Sequence, residues 1–512
     1  MIDEKKISKF RWGLFLLAPL IALFFILFPE SLDPDKPVIA YAAGIAILMS
    51  IWWMTEIVPL AVTALLPVAL FPLLGIMNGK AVATTYFNHL IFLFIGGFLI
   101  ALAMERWRLH RRIALKLLLT VGMSPARILL AFMLTSAFLS MWISNTATTM
   151  MMLPILLSII SKLEEINSKE DVQWMGKGLL LSIAYAASIG GIATLIGTPP
   201  NLSFVRIFKI YFPDGPDISF AQWMIFAFPL SMILLFIAYF YLYLIFIKGT
   251  KANFKNVGKS IIQEEYQKLG KMNYEEKWVL SLFVALALLW LFRKPIFISN
   301  FTIPGWSAMF SNPKWITDGN VAIFIGILLF LIPTKNKRKG NFLMDWKTAE
   351  RIPWGIILLF GGGFALASGF KESGLSSYIG ETLTGLRDIH PIIILLLITA
   401  TITFLTELTS NTATVETFLP ILAAMALAIN INPLFLMIPA TIAGSFAFML
   451  PVATPPNAIV FGSKKLEVKD MMRSGLWLNL IGIIILTIVA YFYMTQVFDI
   501  DINILPSWAK SL

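Results

Sequence analysis

The sequence contains no cysteine and only three histidines in 512 residues. Without cysteine the protein cannot form disulfides, thiolate metal sites or a Cys nucleophile, and the scattered His89, His110 and His390 do not favour a zinc site. Charged residues are also scarce, at 13% against about 25% in soluble domains. Because so little polar sequence cannot cover several soluble cores, the 58% apolar composition predicts an all-α polytopic membrane protein.

Apolar runs long enough to cross a hydrocarbon core of about 30 Å recur along the chain. They lie near residues 12–29, 38–54, 57–76, 91–104, 129–160, 179–197, 223–247, 277–292, 320–333, 354–370, 391–429, 433–450 and 475–498. The first run is long for the apolar core of a signal peptide, and no small-residue cleavage site precedes Pro29. We therefore expect it to be a transmembrane helix.

The distribution of charge predicts the orientation of the chain in a cytoplasmic membrane. Four basic residues between positions 5 and 11 place the N-terminus inside, whereas Asp499 and Asp501 favour an external C-terminus. Termini on opposite sides require an odd number of crossings, so we expect about eleven transmembrane helices plus two re-entrant hairpins. The net charge of +11 is assigned to cytoplasmic loops, such as the basic connector at 248–277, and not to a nucleic-acid partner.

The chain contains a long internal repeat. Three motifs recur in the same order: 94–98 with 360–364, 144–148 with 410–414, and 198–201 with 454–457. The first two pairs are 266 residues apart and the third 256, so the first copy has ten extra residues, expected in the charged stretch 162–177. Because 106–127 has six basic residues and its counterpart 371–390 only two, the copies are predicted to face opposite sides, as an inverted-topology repeat.

The Ser-Asn-Thr motif at 144–146 and 410–412 interrupts two long apolar runs. Polar sequence at membrane depth must be buried in protein or line a watery cavity. Each motif therefore predicts the tip of a re-entrant hairpin, although a capped helix break is a structural alternative. The returning helix would offer amide, hydroxyl and N–H groups, with the partial positive charge of its N-terminus, to an anion such as a carboxylate.

The Thr-Pro-Pro-Asn motif at 198–201 and 454–457 predicts a break in a helix, because each proline lacks a backbone donor. Carbonyls such as those of Gly197 and Ala453 would then be free, and with nearby Ser, Thr and Asn oxygens they could enclose a small cation. A simple proline kink is the structural alternative.

The residues and motifs that the sequence lacks exclude other classes of function, beginning with the composition of the Ser-Asn-Thr and Thr-Pro-Pro-Asn motifs. They contain no Lys or Arg, so a bound anion would depend on helix dipoles, polar donors and co-bound cations. No GxxxxGK[ST] motif is present to support ATP-driven pumping, and no Ser/Lys or paired Asp at membrane depth supports an intramembrane enzyme. A channel remains open as a third class, and Gly361–Gly363 is expected to allow close helix packing.

These paired motifs resemble those of the divalent anion/sodium symporter family, carriers of di- and tricarboxylates and sulfate that include the INDY proteins. The resemblance covers nearly the whole chain. It implies a homodimer in the lipid bilayer, with a transport domain that moves like an elevator past a scaffold domain.

The resemblance also implies a set of site residues. Substrate would lie against Ser144, Asn145, Thr146, Thr198, Pro199, Ser410, Asn411, Thr412, Thr454 and Pro455. One sodium ion would be held by Ser140, Ser144, Asn145 and Gly197, and a second by Thr406, Thr409, Asn411 and Ala453. No other cofactor is expected.

The resemblance, combined with the repeat, divides the chain into five parts. These are 1–90 (N-terminal helix and first scaffold helices), 91–212 (first transport elements, with a hairpin near 129–160 and a broken helix near 179–212), 213–353 (connecting helix, cytoplasmic linker and further scaffold helices), 354–470 (second transport elements, with a hairpin near 391–429 and a broken helix near 433–463) and 471–512 (last helix and external tail).

Glu416 departs from the expected pattern, since its counterpart in the first copy is Met150. One interpretation is a first-turn acid that complements the helix dipole. The other is a buried acid that takes part in coupling, by titrating or by attracting a cation. An ionised Glu beside a dianion would repel it unless paired.

The sequence therefore predicts a secondary-active carrier of C4–C5 dicarboxylates: succinate, malate, fumarate and 2-oxoglutarate. Coupling is either sodium symport or dicarboxylate exchange, and the presence of Glu416 slightly favours exchange. Sodium-coupled uptake of citrate or sulfate is the alternative within transport.

Overall fold

The computed structural model describes residues 9–122, 124–250, 257–298, 301–335 and 340–510. The basic residues at positions 5 and 6, on which the predicted inside location of the N-terminus partly depends, lie outside these ranges, as does part of the basic connector (251–256).

The described chain is mostly helical. The N-terminal region contains α1 (Lys9–Leu27), α2 (Pro37–Thr55), α3 (Leu60–Thr63), α4 (Leu66–Leu73) and α5 (Gly79–Tyr86). The first copy of the repeat contains α6 (His89–Arg106), α7 (Leu109–Val121), α8 (Pro125–Ser140), α9 (Asn145–Ile166), α10 (Lys169–Gly191), α11 (Pro199–Tyr211) and α12 (Phe220–Leu242), which continues as a π-helix to Ile247.

The second half follows the same order after a connecting region. That region contains α13 (Val257–Lys268), α14 (Tyr274–Leu291), α15 (Asp318–Leu331) and α16 (Trp346–Ala349). The second copy contains α17 (Trp354–Ser373), α18 (Leu375–Thr382), α19 (Pro391–Thr406), α20 (Asn411–Ala428), α21 (Pro433–Ala443), α22 (Pro455–Phe461), α23 (Val468–Val489) and α24 (Thr495–Val497), the last two joined by a π-helical turn. A short antiparallel pair, β1 (Ile296–Ile298) and β2 (Phe301–Ile303), lies between α14 and α15 and was not expected from the sequence.

The apolar helices agree with the predicted polytopic membrane protein. Within the described ranges, seven helical segments are long and apolar enough to cross a membrane, and six more apolar helices are shorter. Four of these thirteen helices form the two hairpins. The other nine, together with α10 and α14, whose charges lie in their N-terminal parts, give eleven candidate membrane crossings outside the hairpins within the described ranges.

Both predicted hairpins are present. A four-residue turn joins α8 to α9 at 141–144, and another joins α19 to α20 at 407–410. The helices that follow break as predicted, since residues 192–198 separate α10 from α11 and residues 444–454 separate α21 from α22.

The extra residues of the first copy lie in helices. α9 has 22 residues against 18 in α20, and α10 has 23 against 11 in α21. The charged stretch 162–177 is helical apart from the short turn between α9 and α10. The insertion therefore lengthens two helices.

The glycine motifs pack closely against neighbouring backbone, as the sequence predicts. Gly96 on α6 faces Ala322 on α15, and Gly362 on α17 faces Ala64, where an added Cβ would lie 2.5 and 2.6 Å from the neighbouring atoms. The glycine-containing helix of each copy therefore packs against helices outside that copy. In the first copy α6 packs on α15, and in the second α17 packs on α2–α5.

Candidate functional site

The hairpin tips place the Ser-Asn-Thr motifs at the start of the returning helices. Ser144 is the N-cap of α9, and its Oγ accepts a hydrogen bond from the backbone N–H of Ala147 at 3.2 Å. Asn411 is the first residue of α20. Ser144, Asn145 and Asn411 are half-buried. The first N–H groups of such helices have no partner within the helix and carry partial positive charge.

The same hydrogen bond fixes the Asn side chain in each tip. In the first copy the Ser140 hydroxyl donates to Asn145 Oδ1, and in the second the Thr406 hydroxyl donates to Asn411 Oδ1 at 2.7 Å. Both donors are fully buried. With Oδ1 oriented in this way, the Nδ2 donors of both amides remain available for an anion.

The Asn of each Thr-Pro-Pro-Asn motif holds the break that precedes it. Asn201 Nδ2 donates to the carbonyl of Thr194 at 2.7 Å and to that of Gly191 at 3.5 Å. Asn457 Nδ2 donates to the equivalent carbonyls of Leu450 and Ala447, both at 3.0 Å. The Oδ1 atoms of both Asn side chains are buried without a hydrogen-bond partner in the described chain, which leaves one free acceptor in each copy.

Oxygen atoms converge around Gly197 in the first copy. An added Cβ there would lie 2.4 Å from the carbonyl oxygen of Gly191 and 3.0 Å from that of Ser140. A Cβ on Gly191 would in turn lie 2.7 Å from Asn145 Oδ1. Three of the four residues in the predicted first sodium site, Ser140, Asn145 and Gly197, therefore lie together, and their oxygen ligands suit a hard cation.

The second predicted sodium site is less fully assembled. Thr406 contacts Asn411 as described, but the Thr409 hydroxyl bonds to Thr414 and to the carbonyl of Leu405. Ala453 lies in the break before α22, buried. Sodium binding by this group stays a prediction.

Helix packing places one arm of each hairpin against the broken helix of the other copy. The first hairpin arm α9 contacts α22, whose N-terminus carries Thr454 and Pro455. The second hairpin arm α20 contacts α11, whose N-terminus carries Thr198 and Pro199. Among the described residues no hydrogen bond joins Asn145 to Asn411, so the substrate contacts themselves stay predictions.

Glu407 has a structural role that the sequence analysis did not identify. It is 3% exposed, and its carboxylate accepts the backbone N–H groups of Phe448 (2.7 Å), Met449 (2.8 Å) and Leu450 (3.0 Å) and the amide of Asn479 (2.7 Å). The acid thus holds the break between α21 and α22. The signal in the sequence was an isolated acid inside an apolar run.

Glu416 is not a first-turn acid, so that interpretation is wrong. Since α20 begins at Asn411, Glu416 lies in the second turn, where it is fully buried. Its Oε1 accepts a hydrogen bond from the Ser203 hydroxyl on α11 at 2.7 Å. The acid therefore faces neighbouring helices.

The structure is similar in fold to two solved transporters. One is YdaH of Alcanivorax borkumensis (TM-score 0.59, 13% identity, covering 94% of this chain and 98% of that one). The other is MtrF of Neisseria gonorrhoeae, from a class of antimetabolite efflux pumps (TM-score 0.53, 13% identity, covering 81% and 83%). At this identity the likeness concerns the fold alone.

Sequence comparison gives closer relatives. The chain is 44% identical over 496 residues to the sodium-dependent dicarboxylate transporter SdcS of Staphylococcus saprophyticus, covering 96% of this chain and 92% of the relative. It is 46% identical over 495 residues to SdcS of Staphylococcus aureus, covering 95% and 92%. The family model described as the sodium:sulfate symporter transmembrane region matches residues 8–500. The chain is therefore a multi-pass membrane protein that belongs to the sodium:sulfate symporter family.

Proposed function

We propose that this protein is a secondary-active carrier that takes up C4–C5 dicarboxylates such as succinate, malate, fumarate and 2-oxoglutarate together with sodium. The observation that carries the proposal is the duplicated tip, in which a buried hydroxyl orients Asn145 and Asn411 in the same way. The relatives named above, sodium-dependent dicarboxylate transporters at 44–46% identity, support the same substrate class and ion.

Two equivalent tips suit a substrate with a carboxylate at each end. Each tip offers amide donors and a helix N-terminus to one carboxylate, and the motifs contain no cationic side chain. Sodium held by the oxygen cluster near Gly197 would neutralise part of the substrate charge. Sodium is then cargo that travels with the anion.

Sodium symport is preferred here over dicarboxylate exchange. The sequence slightly favoured exchange because of Glu416. In the structure, however, this acid faces Ser203 on a neighbouring helix. Uptake of citrate or sulfate by the same site is the alternative that a competition experiment must address.

Transport would proceed by an elevator-like movement of the hairpins and broken helices past a scaffold. We place α6 and α17 in the scaffold. The packing of α6 on α15 and of α17 on α2–α5 supports this placement, and α17 also contacts the proposed moving helices α11 and α20. This assignment differs from the division drawn from the sequence, which groups 91–106 and 354–373 with the transport elements. A homodimer in a cytoplasmic membrane, with the N-terminus inside and the C-terminus outside, completes the proposal.

Reconstituted protein would test this function directly. Proteoliposomes with and without internal unlabelled succinate are given labelled succinate, in sodium or in potassium buffer. We expect sodium to be required and internal succinate to be dispensable. Excess citrate or sulfate should compete poorly.

Variants test the site in the same assay. Asn145→Ala and Asn411→Ala should abolish uptake while the protein stays folded by size-exclusion chromatography. Asn503→Ala, on the exposed C-terminal segment, is the matched control and should transport normally. Normal uptake by both tip variants would refute the site, and uptake only from preloaded vesicles without sodium would favour exchange.

A further inference from the structure

Glu416 is a buried acid, and only one of its two carboxyl oxygens has a hydrogen-bond partner in the described chain. Glu416 is 0% exposed, and its Oε1 accepts a hydrogen bond from the Ser203 hydroxyl. Oε2 has no hydrogen-bond partner among the residues that the structure describes. This oxygen lies against Gly363 on α17, where an added Cβ would be 2.4 Å away, so the glycine gives the carboxyl group its space.

Among the residues that the structure describes, no cation pairs with this acid. The helices packed against α20 are α2, α11, α17, α18, α19 and α21. Of these, α2, α19 and α21 contain no charged residue, and the charged groups of the other three are Arg206, Lys209, Lys371, Glu372 and Glu381. None of these forms an ion pair with Glu416 within the described chain: Lys209 pairs with Asp217, Lys371 donates to the carbonyl of Ile210, and the buried Nε of Arg206 has no hydrogen-bond partner there.

Tyr86 on α5 is a titratable residue near Glu416. The Tyr86 phenol donates to the carbonyl of Ala64, and so it does not compensate the carboxylate. An ionised carboxylate with one hydroxyl donor and no counter-charge is very unfavourable in such surroundings, whereas a neutral carboxyl group is tolerated.

We propose that Glu416 carries a proton in this state and moves it together with the substrate, so that each transport cycle couples one proton in addition to sodium. The inference rests on the proposed function. Glu416 and Ser203 lie on the elements proposed to move, whereas Gly363 and Tyr86 lie on the proposed scaffold. Movement would slide the carboxyl group away from the glycine that covers it and allow the proton to exchange.

The direction of proton movement follows from charge. Glu416 lies five residues after Asn411 on the same helix, so an ionised carboxylate would repel a bound dianion. The acid is therefore neutral when the site is loaded and can ionise on the empty return step. This order makes the proton a companion of the substrate.

Proton coupling has a defined thermodynamic signature. If one proton enters with each succinate, a pH difference of one unit changes the limiting accumulation ratio of succinate about tenfold. Proteoliposomes are held at equal sodium on both sides, with the membrane potential clamped by potassium and valinomycin. The outside stays at about pH 7.5, where succinate is a dianion, and the inside is set to about pH 7.5 or about pH 8.5.

Wild-type protein should accumulate succinate up to tenfold further with the alkaline interior. Glu416→Gln should transport succinate with sodium but show the same ratio at both internal pH values. Glu372→Gln, which removes an exposed acid on α17, is the matched control and should respond like wild type.

Each result has one interpretation. A wild-type ratio that ignores internal pH overturns proton coupling without recourse to any variant, and sodium-dependent uptake in the same vesicles would leave the proposed function intact. A full pH response in Glu416→Gln assigns the proton to another group. Loss of one sodium from the stoichiometry in Glu416→Gln would mean that the acid holds sodium instead, and would also overturn the proposal.

Discussion

Replacing Glu407 should strongly destabilise the second half of the protein. The carboxylate accepts hydrogen bonds from three backbone N–H groups and from Asn479, and all four donors would lose their partner in Glu407→Ala. A buried donor without a partner costs about 1–3 kcal/mol. The bonds of the Phe448 N–H and the Asn479 amide are buried and the other two are partly buried, so the loss should be at least about 2 kcal/mol. Glu407→Gln keeps one acceptor oxygen but presents N–H₂ to the N–H of Leu450, and should cost about 1–3 kcal/mol.

The measurement is the free energy of unfolding in detergent micelles, titrated with SDS and followed by tryptophan fluorescence. The expected order of stability is wild type, then Gln, then Ala. Leu408→Ala alters a neighbouring side chain that is 68% exposed and should unfold almost like wild type. If Glu407→Ala is as stable as Leu408→Ala, the carboxylate does not hold the break, and this reasoning is wrong.

Three further changes test other parts of the structure. Gly197→Ala places a Cβ 2.4 Å from the carbonyl oxygen of Gly191, so it should cost about 1–3 kcal/mol in unfolding titrations and abolish sodium-dependent uptake; normal sodium dependence would contradict the cation site. Asn411→Ala removes a donor to a carboxylate worth about 1.5–3 kcal/mol, so isothermal calorimetry should show succinate binding weakened about 10- to 150-fold. Burial alone would raise the pKa of Asp217, but the hydrogen bond from Lys209 lowers it below its usual value. Because a lowered pKa stabilises the folded state only while the acid is ionised, acidification from about pH 5 to about pH 3 should destabilise wild type more than Asp217→Asn in unfolding titrations; equal losses would exclude this ion pair as the cause.

The sequence was sufficient to locate the hairpins and the breaks, because both arise from local chemistry. A polar triplet inside an apolar run has to leave the lipid, and paired prolines cannot continue a helix. Both tips and both breaks lie where these rules predict, at 141–144, 407–410, 192–198 and 444–454. The repeat added the correspondence between the copies, which the matching bonds of Asn201 and Asn457 confirm.

Features that depend on distant partners could not be predicted. Nothing local to Glu407 shows that its donors are residues 448–450 and Asn479, which follow by about 40 and 72 positions. The surroundings of Glu416 come from Ser203 and Gly363, which are distant in sequence.

The two breaks are held by different chemistry, although their Asn bonds match. In the second copy a carboxylate binds three N–H groups, whereas at the equivalent position of the first copy the carbonyl of Met141 accepts a single bond from the Thr194 hydroxyl at 2.6 Å. A chain built from two copies of the first half would keep both hairpin tips but would lack the carboxylate that binds the N–H groups of residues 448–450. The second break therefore depends on one buried carboxylate that has no counterpart in the first.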